Sequence, residues 1–438
     1  MTSTQLLKKR NFLPLFVTQL LNAFNDNLYK NAMVLFVVYQ VYSSAEAEAQ
    51  FSAIASGLFI LPFFILSALA GQLADMRDKA KIIRWVKGAE IVIMACGATG
   101  LYLAWRATMI ESVAIPLMLV ALFAMGIHST FFGPIKYAIL PQHLERDEVL
   151  AGTGLVEAGT YIAILAGTIL AGWIPIEVAG VVVVVMAVVG FITSQQVPPA
   201  PPTEQGQKID YHVFRSSIAL IRNTMKDREV FYAIMAISFF WTIGAVLFIQ
   251  FPPLAKNVLM ASKEVASLFL VTFSIGVAIG SISINALLKG RVSARYGPIS
   301  VIAMGVFVVM FYFVCKLWAQ HVPTELMDVP EFIIQPLAPL VLGTLLLIAI
   351  SGGMFVVPLY AFLTTKVDAG QAARTVAANN IVNSGAMVVG SLLAAGLSAA
   401  GIPLLEQLLL SGAMCLISAW LGAVLYKAEK EAALAAES

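Results

Sequence analysis

Charged residues are scarce in this sequence. Lys, Arg, Asp and Glu make up 12% of the 438 residues, whereas 60% are hydrophobic and the mean hydropathy is +0.87. Soluble domains are about a quarter charged. Because no soluble core can hide this much apolar surface, the composition excludes a soluble protein and predicts one that lies within a membrane.

Cysteine is also rare, and its placement excludes two further classes of protein. The three cysteines, Cys96, Cys315 and Cys415, all lie in apolar runs, so neither a disulfide framework nor a metal site is indicated. We expect no catalytic residues, no enzyme activity, no metal, no cofactor and no nucleic-acid partner. The net charge of +2 does not by itself identify a partner.

Long apolar runs are what the sequence does contain. A bilayer core about 30 Å thick takes roughly 20 residues of helix, and a helix satisfies its own backbone in lipid. Twelve such runs predict an all-α polytopic membrane protein with twelve transmembrane helices in two pseudo-symmetric six-helix bundles. The predicted spans are 11–40, 51–74, 82–105, 112–133, 148–172, 175–195, 230–254, 264–288, 297–318, 336–357, 375–398 and 402–426.

A Pro-rich polar stretch, VPPAPPTEQGQK at 197–208, divides the spans into two groups. We therefore predict an N-terminal bundle at 1–195, a linker at 196–229 and a C-terminal bundle at 230–438. The linker segment 209–228 alternates basic and apolar residues. It is either an amphipathic helix on the membrane surface or a solvated connector.

The two halves resemble each other weakly. GPIKYAILPQHL at 133–144 aligns with VPLYAFLTTKV at 357–367 after one residue is dropped. Repeated six-helix halves are common in secondary transporters, whose substrate site lies between them near the midplane. The paired positions are Pro134 and Pro358, Tyr137 and Tyr360, Gly167 and Gly390, and Glu157 and Asn380.

The distribution of basic residues predicts the orientation. Of the 27 Lys and Arg residues, 21 fall in the termini, the linker and the loops 75–88, 137–149, 285–297 and 362–374, against four on the opposite side. Positive residues are retained on the cytoplasmic side of a membrane. We expect a multi-pass protein of the cell inner membrane with both termini in the cytoplasm.

The first span carries a polar stripe. Gln19, Asn22, Asp26 and Lys30 are spaced 3, 4 and 4 residues apart, which places them on one helix face. An ionised side chain in a span costs at least about 2.5–3.5 kcal/mol, so such a face lines a cavity or meets a partner. Mutual neutralisation of Asp26 and Lys30 is the alternative, but it leaves the neighbouring asparagines unexplained.

Polar residues within other spans complete the candidate substrate site. His128 is interpreted as a hydrogen-bonded packing residue rather than a proton relay, and Glu90 as a local ion-pair partner. The candidate substrate-binding residues are Asn22, Asp26, Asn27, Lys30, Lys136, Tyr137, Glu157, Asn379, Asn380 and Asn383.

The loop after the second span reads GQLADMRDKAKII at 71–83 and resembles the cytoplasmic loop motif of the major facilitator superfamily. Met76 departs from that motif where an Arg is usual, and Asp78 where a Gly is usual. The candidate gating residues are Asp75, Arg77 and Lys79. A basic loop that only holds the orientation is the alternative.

Five blocks together resemble the lysophospholipid transporter family of that superfamily, and in particular the transporter half of bacterial transporter–acyltransferase fusion proteins. The blocks are LNAFNDNLYKNA (21–32), FFGPIKYAILPQHL (131–144), GLVEAGTYIAILAGTILAG (154–172), FVVPLYAFL (355–363) and RTVAANNIVNSG (374–385).

The resemblance implies alternating access and a flippase-like movement of lysophospholipids, chiefly lysophosphatidylethanolamine, from the outer to the inner leaflet for reacylation. It implies a lysophospholipid substrate, contact with membrane lipids, and an acyltransferase as the candidate functional partner of a monomeric protein. Because the sequence ends at Ser438, shortly after the last span, we expect no fused acyltransferase domain.

The residues fit a zwitterionic head group. Lys136 can meet a phosphate, and Asp26 or Glu157 can meet an ammonium group. Asparagines offer neutral donors and acceptors to the glycerol and ester groups. Three alternatives remain: a proton-coupled exporter of drugs or amphiphiles, an importer of a small polar solute, and a membrane scaffold for an acyltransferase.

Overall fold

The computed structural model describes residues 6–145, 148–202, 209–288, 293–320, 325–365 and 369–437. Three of the predicted site residues, Asp75, Tyr137 and Glu157, have side chains that lie outside this description.

The described chain is helical throughout, which confirms the predicted fold class. It contains twelve helices of 20 residues or more. They are α1 (Leu13–Phe36), α2 (Ala45–Met76), α3 (Lys79–Trp105), α4 (Ile115–Ala138), α5 (Val149–Trp173), α6 (Ile176–Gln195), α7 (Arg228–Asn257), α8 (Lys263–Leu288), α9 (Gly297–Trp318), α10 (Ala338–Thr365), α11 (Ala369–Ala399) and α12 (Leu404–Glu437).

Ten of these helices are long and apolar enough to cross a membrane, among the residues described. The remaining two are α1, which carries the polar stripe, and α5, in which the stretch Ala158–Trp173 is apolar. Prolines lie inside α2, α4, α7 and α10. Membrane helices tolerate such prolines because neighbouring groups satisfy the freed carbonyls.

The helix after the basic loop starts earlier than predicted. Asp78 caps α3 by accepting a hydrogen bond of 3.1 Å from the backbone N–H of Lys81, a typical N-cap. The predicted loop 75–88 therefore shrinks to a turn at 77–78, and Lys87 lies buried inside α3 instead of in a loop.

The segment between α6 and α7 contains a helix at Val213–Thr224. Phe214 and Ile218, one turn apart, are exposed on it, and Arg215 lies beside them with its guanidinium 3.0 Å from the Asp210 carboxylate. A helix therefore forms in this segment, and its location on the membrane surface stays a prediction.

The chain forms two compact units. Unit 1 comprises Met1–Phe36 and Leu61–Ser216. In it α1 packs against α4, α5 and α6, and α3 packs against α4 and α6. The Lys9 ammonium lies 2.5 Å from the Glu148 carboxylate, and this hydrogen bond holds the pKa of Glu148 below its usual range.

Unit 2 comprises Val37–Ile60 and Ser217–Ser438. In it α7 packs against α10, α11 and α12, and α9 packs against α10 and α12. The unit also contains the first part of α2, up to the residue before Leu61, and the π-helical turn Val37–Val41. The bundle boundaries at 195 and 230 stay a prediction.

The packing inside unit 1 repeats inside unit 2. Gly167 on α5 lies so close to α1 that an added Cβ would be 2.6 Å from the Phe24 carbonyl oxygen. Gly390 on α11 faces α7, where an added Cβ would be 2.6 Å from the Thr242 methyl carbon and 3.7 Å from the Thr242 carbonyl oxygen. The two glycines paired by the sequence repeat therefore face corresponding helices, and the approach to the backbone is closer in unit 1.

Candidate functional site

A ring of polar side chains is buried among α1, α3 and α4 of unit 1. It is built from Asn22 and Asp26 on α1, Lys87 and Glu90 on α3, and His128 and Ser129 on α4. Each of the six is less than a tenth exposed.

Asp26 is bonded through one of its two carboxylate oxygens. The Ser129 hydroxyl donates to Oδ2 at 2.5 Å, and the Asn22 amide donates to the same atom at 3.2 Å. The other oxygen, Oδ1, is buried and accepts no hydrogen bond from the described residues. Among the described residues nothing satisfies this oxygen, so it is open to a proton, a water or a ligand.

Glu90 is the other acid of the ring, and it is held from three sides. The Lys87 ammonium pairs with it one turn away on α3, and His128 Nε2 lies 3.2 Å from its Oε2 atom. The Asn25 amide of α1 donates to Oε1 at 2.9 Å and to the Val183 carbonyl of α6 at 3.1 Å.

The ring is closed by two longer contacts. His128 Nδ1 is 3.5 Å from the Ser129 hydroxyl, and the Lys87 ammonium is 3.5 Å from the Asn22 carbonyl oxygen. Two carboxyl groups thus meet one lysine and one imidazole. Because a buried charge is stable only when it is paired and hydrogen-bonded, this composition explains how three helices keep ionisable groups inside an apolar bundle.

A second polar line joins α1 to α4 and α5. The Lys136 ammonium lies 3.4 Å from the Thr160 hydroxyl, which donates to the Gln19 side chain at 2.8 Å. Further along α1, the Asn31 amide donates to the Thr168 hydroxyl at 3.1 Å. Lys30, half-buried, follows Asp26 by one turn.

In unit 2 the polar residues of α11 face two ways. Asn383 accepts from the Ser238 hydroxyl at 2.7 Å and donates to the Tyr360 hydroxyl at 3.3 Å. Asn379 is fully buried, and its amide makes no hydrogen bond with the described residues. Asn380, the next residue on the helix, is exposed.

Other predicted residues occupy more ordinary environments. The Asn27 amide donates to the Ala23 carbonyl at 2.8 Å, a bond within its own helix. Arg77 is exposed in the turn before α3, whereas Lys79 is buried and its backbone N–H donates to the Ala200 carbonyl at 2.9 Å.

Sequence reasoning did not assign Lys87, Glu90, His128 and Ser129 to one site. Lys87 and Glu90 are three residues apart, a spacing that places both on one face of α3. A lysine and a glutamate at that spacing, with Lys87 where the predicted loop 75–88 overlaps the predicted span 82–105, was the available signal. The contact between Glu90 and His128 of α4 depends on tertiary packing and could not be predicted from the sequence.

Most of the chain is similar to known transport proteins. Residues 15–391 match the family model of the Major Facilitator Superfamily. The Lysophospholipid transporter LplT of Klebsiella pneumoniae subsp. pneumoniae is 24% identical over 397 residues, which cover 87% of this chain and 87% of that protein. The protein of the same name from Photorhabdus laumondii is 24% identical over 374 residues, covering 82% and 81%.

Solved structures share the fold at low identity. A POT family transporter in complex with 5-aminolevulinic acid has a TM-score of 0.72 and 11% identity, over 95% of this chain and 96% of that chain. A bacterial homologue of the human lysosomal transporter Spinster has a TM-score of 0.66 and 12% identity, over 96% and 98%.

The family match extends from α1 into α11 and so includes helices of both units. The chain therefore belongs to the Major Facilitator Superfamily and is a multi-pass membrane transporter.

Proposed function

We propose that this protein transports lysophospholipids, with lysophosphatidylethanolamine as the preferred substrate, from the outer to the inner leaflet of a bacterial inner membrane. Two curated relatives named as lysophospholipid transporters support the substrate class over most of the chain. In this proposal both termini lie in the cytoplasm, the protein acts as a monomer, and an acyltransferase consumes the delivered lipid.

The observation that carries the proposal is the Asp26 carboxylate, buried in unit 1 with one oxygen that accepts no hydrogen bond from the described residues. A lysophosphatidylethanolamine head group presents an ammonium group that a carboxylate binds with a charge-assisted hydrogen bond. The phosphate of the same head group needs a cation, and we assign that role to Lys136.

The spacing of these groups on α4 fits one head group. Ser129, which touches Asp26, and Lys136 are seven residues apart, so they lie on one face of the helix about 10 Å apart along its axis. The flexible side chain of Lys136 can shorten that separation. Asn379 and Asn383 on α11 of unit 2 stay predicted substrate-binding residues.

Transport by the purified protein tests the proposal. The full-length chain is reconstituted in vesicles of phosphatidylethanolamine and phosphatidylglycerol, and radiolabelled lysophosphatidylethanolamine is added outside. Albumin extraction then measures the lysolipid that has become inaccessible. We expect protein-dependent protection of the label, and protection no greater than in protein-free vesicles would contradict the proposal.

The same preparation separates the alternative functions. A proton-coupled exporter of amphiphiles would move the label only with an imposed proton gradient and in the opposite direction. An importer of a small polar solute would leave the lysolipid unmoved while accumulating a water-soluble substrate.

A further inference from the structure

His128 and Ser129 connect the two acids of the buried ring. From Glu90 the contacts run to His128 Nε2 at 3.2 Å, from His128 Nδ1 to the Ser129 hydroxyl at 3.5 Å, and from that hydroxyl to Asp26 Oδ2 at 2.5 Å. Each of these four residues is at most 8% exposed. The series of contacts ends at the Asp26 carboxylate, which binds the substrate in the proposed function.

The number of hydrogens on the His128 ring determines which group the Ser129 hydroxyl can donate to. A protonated imidazole carries a hydrogen on both nitrogens. Nε2–H then lies against Glu90 in the 3.2 Å ion-pair contact, which lacks hydrogen-bond geometry, while Nδ1–H can donate to the Ser129 oxygen and the single Ser129 hydrogen stays on Asp26. A neutral imidazole whose hydrogen stays on Nε2, towards Glu90, has a bare Nδ1, which faces the Ser129 oxygen lone pairs. That conflict is relieved when Ser129 turns its hydrogen to Nδ1 and releases Asp26.

The charges around His128 come from two neighbouring helices. Glu90 and Lys87 face it from α3, and Asp26, followed one turn later by Lys30, faces it from α1. On α6 the neighbouring contact is a backbone carbonyl, that of Val183, bonded to Asn25. Imidazole is the side chain that ordinarily gains or loses a proton near neutral pH.

We propose that His128 and Ser129 are positioning residues for Asp26, and that the proton on His128 decides whether the Ser129 hydroxyl donates to that carboxylate. The inference rests on the proposed function, since it names the partner that Asp26 takes when Ser129 releases it: the substrate ammonium. Loss of the proton frees Asp26 Oδ2 and also removes a competing positive charge. Lysolipid binding therefore strengthens as the pH rises.

The pH profile of transport tests this role, measured at equal pH on both sides of the vesicle membrane. We expect wild-type transport to rise between about pH 5.5 and 7.5. His128→Gln, which does not titrate, and Ser129→Ala, which removes the link, should both flatten the profile.

Thr130→Val is the matched control. Thr130 is buried next to Ser129, but its hydroxyl donates at 2.8 Å to Gly126 of its own helix and takes no part in the ring. Its profile should keep the wild-type shape. If His128→Gln and Ser129→Ala merely scaled transport down at every pH, or if the wild-type profile were flat, the positioning role would be overturned.

A measurement without substrate separates this inference from the proposed function. The chain has four histidines, so the nitrogen-15 signal of His128 can be assigned by its loss in His128→Gln. We expect Ser129→Ala to shift the titration midpoint and the Nδ1 signal of His128, and Thr130→Val to leave both unchanged. An unchanged titration in Ser129→Ala overturns the inference. If wild-type protein moved no lysolipid at any pH, the proposed function would be contradicted. The titration would still show whether Ser129 interacts with His128.

Discussion

The Lys256 ammonium lies 2.6 Å from the Glu48 carboxylate and 2.6 Å from the Val38 carbonyl oxygen. It also donates to the Tyr42 carbonyl at 3.0 Å, so its three hydrogens are all used. Glu48 is fully buried, and its second oxygen accepts from the Asn257 amide. One lysine at the end of α7 therefore fastens the turn Val37–Val41 and the first turn of α2 within unit 2.

Removal of this lysine should destabilise unit 2. In Lys256→Met the Glu48 carboxylate stays buried without its cation, and breaking a buried pair in this way costs about 3–5 kcal/mol. Thermal unfolding in detergent, followed by the loss of monodisperse protein, should show a clear drop in melting temperature.

Two variants control that experiment. Lys427→Met removes an exposed lysine whose ammonium is 3.9 Å from Glu431, and it should leave the melting temperature nearly unchanged because exposed pairs contribute little. Lys256→Met combined with Glu48→Gln removes both charges and should recover part of the loss. Equal melting temperatures for Lys256→Met and Lys427→Met would show that the contact does not stabilise the fold.

Close contact between α8 and α10 depends on a glycine. A Cβ added at Gly353 of α10 would lie 2.5 Å from the Val277 carbonyl oxygen of α8, which cannot move aside as a side chain can. Gly353→Ala should therefore lower stability by about 1–3 kcal/mol, the usual cost of overpacking.

Gly343, on the same helix, provides the comparison. Nothing lies within 4 Å of a Cβ added there, so Gly343→Ala should leave stability unchanged or raise it by up to about 1 kcal/mol through helix propensity. The two alanine variants are compared by thermal unfolding. The packing argument fails if both melt at the wild-type temperature.

Neutralising the proposed head-group ligands should reduce transport without loss of protein. Asp26→Asn removes the carboxylate partner of the ammonium group, and Lys136→Ala removes the partner of the phosphate. A hydrogen bond to a charged group contributes about 1.5–3 kcal/mol, so initial rates should fall roughly tenfold or more. Lysolipid uptake into vesicles measures both. Wild-type rates in both variants would refute the site assignment whatever the family.

Cysteine labelling in intact cells tests the proposed orientation. In a background without the three native cysteines, Ser43→Cys between α1 and α2 should react with a membrane-impermeant maleimide, because it is exposed and predicted to face outward. Lys226→Cys, exposed before α7, should react only after the cells are opened. Labelling of position 226 in unopened cells would contradict the predicted orientation.

The helices could be predicted from the sequence because each apolar run of about 20 residues has one stable form in lipid. Gly167 and Gly390 could be paired because the repeat places Gly167 on the helix that meets α1 and Gly390 on the helix that meets α7. The spacing on α1 identified Asn22 and Asp26 as a polar face. What that face meets could not be predicted, since Lys87 and His128 reach it only through packing of α3 and α4.

The sequence also could not predict which side chains of a helix point into the protein. Asn379 and Asn380 are adjacent, yet one is fully buried and the other exposed. Neighbouring residues on a helix point about 100° apart, so at most one of them can face a given partner. The sequence identified the polar segment of α11, and only the packed structure separates its two sides.

We expect the protein to select lipids by their head group and by their number of acyl chains. If the acyl tail stays in lipid while the head group crosses, the tail exchanges one apolar environment for another, and each added methylene should change competition little. A tail drawn through water would instead change the transfer free energy by about 0.8 kcal/mol for each CH₂. A diacyl lipid presents twice the tail volume to the same opening, so it should be rejected on steric grounds.

Unlabelled lysolipids of different chain length and a diacyl lipid with the same head group are tested as competitors against labelled lysophosphatidylethanolamine. We expect similar inhibition across chain lengths and none from the diacyl lipid. A steep dependence on length, or equal competition by the diacyl lipid, would show that the protein encloses the tail and that recognition extends beyond Asp26 and Lys136.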